Sequence, residues 1–123
     1  MRKIIAIPLG DVAGIGPEIV VKSLNDREIY DTCKPLVIGH SIPLQKAMKV
    51  SGVALEINRI DNPEEGLYRH GTVDLIELDC PGIENIEFGK IQKEAGLFAY
   101  SFIERSVELA LHNKVSALAT TPI

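Results

Sequence analysis

Residues Pro8 to Val20 (PLGDVAGIGPEIV) place three glycines, one carboxylate and a Gly-Pro-Glu step between two apolar runs. A glycine-rich loop that leads from a strand into a helix can hold an anion with its backbone N–H groups, helped by the helix dipole. The glycine spacing here matches neither GxGxxG nor GxxxxGK followed by Ser or Thr. Pro17 lacks an N–H group, and Glu18 places a negative charge where it would repel a second anion. The stretch therefore favours a tight glycine corner over a phosphate cradle.

Five residues at this corner and near the end of the sequence are candidates for lining a ligand cleft: Asp11, Gly14, Gly16, Thr120 and Thr121. Asp11 follows the first apolar run, where it either faces a ligand or caps the turn by accepting bonds from backbone N–H groups, and turn capping is favoured. The two threonines either point their hydroxyl groups into the same cleft or simply precede Pro122 as β-favouring residues.

The three histidines are not expected to bind a metal. His40 follows an apolar run, His70 lies in a polar segment and His112 falls near the end of a helical pattern, with no HxH or HxxxH spacing among them. A cation near the last turn of a helix interacts favourably with the dipole, which gives His112 a structural role. The sequence thus assigns no metal ligand and no catalytic residue within the 123 residues.

Composition and charge limit the classes of protein. A length of 123 residues fits one domain, and a net charge of −4 argues against a nucleic-acid surface. No window approaches the roughly 18 apolar residues that a membrane-spanning helix needs, and the basic start leads into an apolar run typical of a strand rather than of a signal peptide. Cys33 and Cys80 are isolated, which is typical of reduced thiols, so a cytoplasmic location is expected.

Apolar runs and periodicities predict the elements that must position the candidate residues. Strands are predicted over residues 3–8, 35–39, 55–60, 72–78 and 115–120, and helices over residues 17–24, 42–50 and 90–112. Polar residues 61–71 are predicted to form a loop. The longest helix contains Gly96, for which a close contact with a neighbouring helix is the expected reason.

The order of these elements predicts one α/β unit over residues 1–123, with a mostly parallel, twisted sheet flanked by helices. Ligands bind at the carboxyl ends of strands in open α/β sheets, and the glycine corner and both threonines follow predicted strands. The last strand ends in Thr-Thr-Pro-Ile without a returning helix, so the sheet is expected to be incomplete.

Three separated motifs carry a family resemblance. GDVAGIGPE, Gly10–Glu18, is similar to the GDPAGIGPE signature of the 4-hydroxythreonine-4-phosphate dehydrogenase family, with Val12 where that family usually has Pro. Gly89–Gly96 resembles its GK…AG helix start, and Ala119–Ile123 its Thr-(Ala/Gly/Thr)-Pro-(Ile/Leu/Val) strand end. The family includes the D-threonate and D-erythronate 4-phosphate dehydrogenases and has a fold like that of isocitrate and isopropylmalate dehydrogenases.

The resemblance implies that the chain is the N-terminal third of a larger, homodimeric dehydrogenase. It implies NAD and a divalent metal (Zn, Mg or Co) as cofactors, with three histidine ligands beyond residue 123. The implied substrate is a phosphorylated hydroxy acid, either 4-phosphohydroxy-L-threonine in pyridoxine biosynthesis or D-threonate or D-erythronate 4-phosphate in sugar-acid catabolism. Oxidation would be followed by decarboxylation, and the 123 residues alone are expected to be inactive.

Two alternatives remain open from the sequence. A small α/β module that binds a ligand without catalysis would have the same composition and the same order of elements. A dehydrogenase of the isocitrate or isopropylmalate type shares the GIGPE step, but the spacing around Ala13 and the Thr-Thr-Pro-Ile end disfavour it.

Overall fold

A five-stranded, all-parallel sheet forms the centre of the computed structural model, which describes residues 1–121. The strands are β1 (Ile4–Pro8), β2 (Lys34–Gly39), β3 (Glu56–Arg59), β4 (Thr72–Glu77) and β5 (Ala117–Leu118). The helices are α1 (Gly16–Leu24), α2 (Arg27–Thr32), α3 (Ser41–Ser51) and α4 (Lys93–Leu111), with short 3₁₀ turns at Pro63–Glu65 and Ile83–Asn85. The predicted α/β class with a parallel sheet and flanking helices is confirmed.

The strands lie in the order β3-β4-β2-β1-β5, so the first strand of the sequence lies inside the sheet. Helices α1 and α3 pack against each other, whereas α4 packs across β1, β2 and β5. Right-handed crossovers place α1 and α3 on one face and α4 on the other. The core lies on both faces of β2, whose residues Leu36, Val37 and Ile38 are fully buried, as is Phe102 of α4.

Local signals explain where the helices begin and end. Pro17 occupies the first turn of α1, where its missing N–H group costs nothing. Helix α3 begins after His40, whose Nδ1 accepts a bond of 3.2 Å from the Ile42 amide, and ends at Gly52, whose φ of 70° is left-handed.

One buried carboxylate organises the loop before β4. Asp74 is fully buried in β4; its Oδ1 accepts bonds from Asn58 Nδ2 (2.8 Å) and the Leu67 amide (2.9 Å), and its Oδ2 from the Tyr68 amide (2.8 Å). A buried charge needs such partners, since an unpaired one is strongly destabilising. Burial, followed by the Asp74 charge, raises the pKa of the Tyr68 hydroxyl.

The structure differs from the sequence prediction at three elements. Helix α2 was not predicted: it spans six residues, is capped by Asp26 Oδ1 on the Glu28 amide (3.0 Å) and buries only Tyr30, too little for a periodic pattern. Strand β5 is two residues long, shorter than predicted, and residues 122–123 of the predicted strand end lie outside the described residues.

The long helix also begins later than predicted. Residues 90–92 are not helical, and Ile91 is fully exposed. Gln92 has an extended backbone, and its side-chain Nε2 donates to the Glu87 carbonyl at 2.8 Å, which holds the segment away from the helix axis. The close contact expected at Gly96 is wrong within residues 1–121, where a Cβ at that position would meet no atom within 4 Å.

Candidate functional site

The strands of a parallel sheet end at one edge, and the candidate residues are distributed along that edge. Glu77 ends β4, and it pairs with Gly39 at the end of β2. The amide of Leu9, just after β1, donates to the Ile38 carbonyl of β2 at 2.9 Å. Thr121 follows β5 beside β1. We call this row the carboxyl edge.

The glycine corner uses its own amides. Asp11 Oδ1 accepts a bond of 2.9 Å from the Ala13 amide, and the Asp11 carbonyl accepts one of 2.9 Å from Gly14. The Gly10 amide donates to Thr121 Oγ1 at 2.7 Å. Three N–H groups that a phosphate would need are therefore engaged within the chain. This geometry agrees with the interpretation of Asp11 as a turn cap and disfavours the phosphate cradle.

Thr121 connects the corner to the last strand. Its hydroxyl accepts the Gly10 bond and lies 3.4 Å from the Pro8 carbonyl, to which it donates. Thr120 is exposed, and with Thr121 it lines an apolar groove of about 270 Å³ over Ile5 and Ile7. Of the two threonines, Thr121 is the one whose hydroxyl reaches the glycine corner.

A second, apolar cavity lies beside the corner. It has a volume of about 360 Å³, and its walls include Ala13, Gly14, Ile15, Glu18 and Phe88. The Gly89 amide donates to the Ala13 carbonyl at 2.7 Å, which attaches the Phe88 wall to the corner. The structure thus places Gly14 at this cavity and buries Gly16 at the start of α1.

A polar cluster at the carboxyl edge was missed in the sequence. Glu77 Oε1 accepts a bond of 2.8 Å from the Ser41 amide and lies 3.6 Å from His40 Nδ1. Glu77 Oε2 lies 3.4 Å from Arg59 Nε, and Arg59 Nη2 donates to Ser41 Oγ at 3.0 Å. The signal available in the sequence was that each of these residues lies within two positions of the carboxyl end of a predicted strand.

The cluster holds Glu77 in its charged form. Burial alone would raise the pKa of Glu77, but the hydroxyl and amide of Ser41, then His40 and Arg59, outweigh it and lower that pKa. The cluster therefore presents a fixed carboxylate and a half-exposed guanidinium beside the start of α3.

The described residues do not form a metal site or a membrane span. Within residues 1–121 no three His, Cys, Asp or Glu side chains converge closely enough to hold an ion. No helix of this part of the chain is both long and apolar enough to cross a bilayer. Cys33 and Cys80 are free thiols, and burial, with the Asp79 and Glu77 charges next, raises the pKa of Cys80 to about 11.

The fold and the edge define an open, parallel α/β unit whose polar groups gather where the strands end, an arrangement typical of ligand-binding α/β enzymes. The family model described as pyridoxal phosphate biosynthetic protein PdxA matches residues 31–123. The chain belongs to this family, and the resemblance found in its three motifs is confirmed.

A relative that matches nearly the whole chain supports the same assignment. The chain is 47% identical over 122 residues to a protein of Halalkalibacterium halodurans that carries the provisional name D-threonate 4-phosphate dehydrogenase. The match covers 99% of this chain but 36% of that relative.

Solved structures agree in fold. A 4-hydroxythreonine-4-phosphate dehydrogenase from Burkholderia phymatum superposes with a TM-score of 0.93 at 40% identity, over 98% of this chain and 36% of that one. One from Klebsiella pneumoniae gives a TM-score of 0.91 at 33% identity, over 99% of this chain and 37% of its own. The chain spans little more than a third of each of these three relatives.

Proposed function

We propose that this chain forms the N-terminal part of an NAD-linked, metal-dependent dehydrogenase that oxidises a phosphorylated hydroxy acid and then releases carbon dioxide. The observation that carries the proposal is the 47% identity, across nearly the whole chain, to a relative named for D-threonate 4-phosphate. The structures named for 4-hydroxythreonine-4-phosphate are 40% and 33% identical. D-Threonate 4-phosphate is therefore our first choice of substrate, ahead of D-erythronate 4-phosphate and 4-phosphohydroxy-L-threonine.

The proposed reaction removes a hydride from the alcohol carbon and a proton from its oxygen; the resulting β-keto acid then loses its carboxylate as carbon dioxide, and the electron pair of that bond is left as an enolate, which takes up a proton. When bound, NAD would accept the hydride, and a divalent metal would supply Lewis-acid polarisation of the substrate oxygens. Residues 1–121 do not fit the metal, since they bring together no three ligands. Its ligands are proposed to lie in the rest of the longer enzyme.

The apolar cavity beside the glycine corner fits the uncharged part of the dinucleotide. Ile15 and Phe88 offer apolar contact for a ring, and Glu18 offers an acceptor for hydroxyl groups while repelling phosphates. The amides of Ala13 and Gly14 already donate hydrogen bonds to Asp11, so these two residues offer backbone surface, and no free N–H donor, to a ligand in the cavity. We propose that these residues hold a ring and ribose of NAD and that the pyrophosphate binds elsewhere.

The chain's own contribution at the carboxyl edge is positional. The bond from Gly10 to Thr121 fixes the glycine corner relative to β5. Glu77 holds Ser41 and Arg59 in place, so the Arg59 guanidinium is positioned at the same edge to bind an anionic substrate. We also propose that the longer enzyme is a cytoplasmic homodimer; free thiols are compatible with a reducing compartment.

Activity of the longer enzyme that contains this chain tests the proposal. We expect NADH to form with D-threonate 4-phosphate and a divalent metal, carbon dioxide to be released in equal amount, and activity to stop when a chelator is added. No turnover is expected from the 123 residues alone. Turnover by those residues would refute the incomplete site, and a longer protein that binds the sugar acid without forming NADH would favour a non-catalytic binding module.

A pair of threonine variants tests the corner. Thr121→Val leaves the Gly10 N–H group without its partner, so we expect stability to fall by about 1–3 kcal/mol and turnover to fall with it. Thr120→Val changes the same chemical group at an exposed neighbour and serves as the matched control. Equal behaviour of the two variants in urea unfolding and in turnover would contradict the role of the Gly10–Thr121 bond.

A further inference from the structure

An open hollow of about 500 Å³ lies at the edge opposite the candidate site, where the strands begin. Its lining includes Arg2, two residues before β1, Arg27 at the start of α2, and Arg69 and His70, just before β4. We call these four residues, together with Asp31 on the same wall, the basic hollow. Three of the chain's five arginines line it, although the chain as a whole carries a net charge of −4.

The arginines of the basic hollow have no carboxylate partner within residues 1–121. The ion pairs of this part of the chain involve Glu18, Glu77 and Glu87, all away from the hollow. The lining side chains therefore bring three positive charges against the one negative charge of Asp31. A cluster of arginines whose mutual repulsion is not neutralised by carboxylates indicates a site for an anionic ligand.

The walls of the basic hollow are held in place by the fold. Arg2 Nη1 donates to two carbonyl groups, those of Tyr30 (2.8 Å) and Tyr68 (3.0 Å), which orients a part-buried guanidinium. His70 Nε2 lies 2.8 Å from the Asn25 carbonyl, and its ring meets that of Tyr30 edge-on at 6.2 Å. The guanidinium and the imidazole are thus positioned before any ligand arrives, which lowers the entropic cost of binding.

We propose that the basic hollow is a second anion site that binds a small molecule through a phosphate group. Planar guanidinium groups donate paired hydrogen bonds that match phosphate oxygens, and a dianion would balance the charge of the lining. The rings of Tyr30 and Tyr68 are buried and their hydroxyl groups are bonded to backbone carbonyls, so they offer no stacking platform for a base. The proposal does not depend on the dehydrogenase activity, because the hollow and the carboxyl edge are at opposite ends of the strands.

Amide NMR titration of the 123-residue chain with inorganic phosphate tests the site. We expect saturable shifts at residues 2–3 and 69–71, with the glycine corner unchanged, and weaker binding as salt is added. The double variant R27Q/R69Q, which alters two exposed side chains, is expected to weaken binding by at least roughly tenfold. R105Q removes the same kind of charge from the exposed side of α4 and is expected to bind as the wild type does.

A parallel titration with a phosphate monoester separates two sources of the ligand. Tighter binding of the monoester than of free phosphate assigns the basic hollow to a phosphorylated metabolite, and equal binding assigns it to phosphate itself. Spectra of both variants with wild-type dispersion show that the fold is intact. Shifts that do not saturate, shifts centred on the glycine corner, or equal weakening by R105Q would overturn the proposal.

Discussion

At the carboxyl edge, Gly39 at the end of β2 packs directly against Leu9, just after β1, and this close packing leaves no space for a side chain at position 39. A Cβ on Gly39 would lie 2.5 Å from Cδ1 and 2.7 Å from Cγ of Leu9, which is fully buried. The corner glycine Gly14 is different: a Cβ there would make ordinary contacts of 3.5–3.6 Å with Asp11. Packing therefore requires glycine at position 39, outside the motif, whereas Gly14 within the motif has room for a Cβ.

We predict that Gly39→Ala destabilises the fold by about 1–3 kcal/mol, since Leu9 has no room to move. Gly14→Ala is the matched control and is expected to change the free energy of unfolding by less than about 0.5 kcal/mol. Urea unfolding followed by circular dichroism measures both. A Gly39→Ala protein as stable as the control would show that Leu9 repacks without cost.

Protonation of Glu77 at low pH lowers the stability of the fold. Because its folded-state pKa is lowered, its contribution to stability is complete above the ordinary glutamate value of 4.5 and is lost as pH falls through the lower folded value. We predict that Glu77→Gln lowers stability near neutral pH by about 1–2 kcal/mol and flattens the loss of stability below pH 4.5.

The control for that prediction is Glu104→Gln on the exposed side of α4. Urea unfolding at a series of pH values is expected to show a curve for this variant parallel to that of the wild type. If Glu77→Gln were also parallel to the wild type, the hydrogen bond to Ser41 and the ion pair with Arg59 would have no net effect on folding.

The residues of the candidate site were only partly predictable from the sequence. Asp11 stands two residues before the amide that it caps, so local turn chemistry identified its role. The contact of Glu77 with His40 depends on the register that pairs Glu77 with Gly39, and nothing local in either segment encodes a pairing between strands so far apart. The arginines of the basic hollow also come from three segments far apart in the sequence, so no local pattern predicts that they converge.

At the scale of elements, the prediction succeeded where a pattern was long or strongly apolar. The apolar runs of β1, β2 and β4, the start signal of Pro17 and Glu18 for α1, and the periodicity of α4 were sufficient. Helix α2 was missed because its stability comes from one cap and one buried tyrosine. The start of α4 was misplaced because Gln92 bonds to backbone before the helix begins, a contact that an apolar pattern does not express.

Helix α4 contains a simple opportunity for stabilisation. Gly96 has open space around its missing Cβ, so we predict that Gly96→Ala raises stability by about 0.5–1 kcal/mol. Gly52→Ala is the contrasting variant: that residue also has open space, but its φ of 70° at the end of α3 is left-handed, so we expect a loss of about 1 kcal/mol. In thermal unfolding we expect the melting temperature to rise in Gly96→Ala and to fall in Gly52→Ala. Shifts of the same sign in both variants would contradict the prediction.

At the scale of the whole molecule, Cys80 reports on global opening. It is 4% exposed and its pKa is raised to about 11, so almost no thiolate is available in the folded state. We predict that an alkylating reagent modifies the more accessible Cys33 first, and Cys80 only when the fold opens.

Mass spectrometry of the labelled peptides measures the two rates. The rate at Cys80 should rise in Gly39→Ala and fall in Gly96→Ala, while the rate at Cys33 changes less. An alkylation rate at Cys80 that is the same in both variants as in the wild type would mean that the thiol becomes accessible through a local motion.

The bond between Gly10 and Thr121 joins residues 111 positions apart, and β1 lies between β2 and β5. During synthesis, at roughly 5–20 residues per second, the first strand therefore waits on the order of ten seconds for its second neighbour. Throughout that interval one edge of β1 is open to pairing with other chains, which is the usual route to aggregation. One side of the earliest strand thus stays exposed until β5 has been made, and the glycine corner takes its final form only after Thr121 has been synthesised.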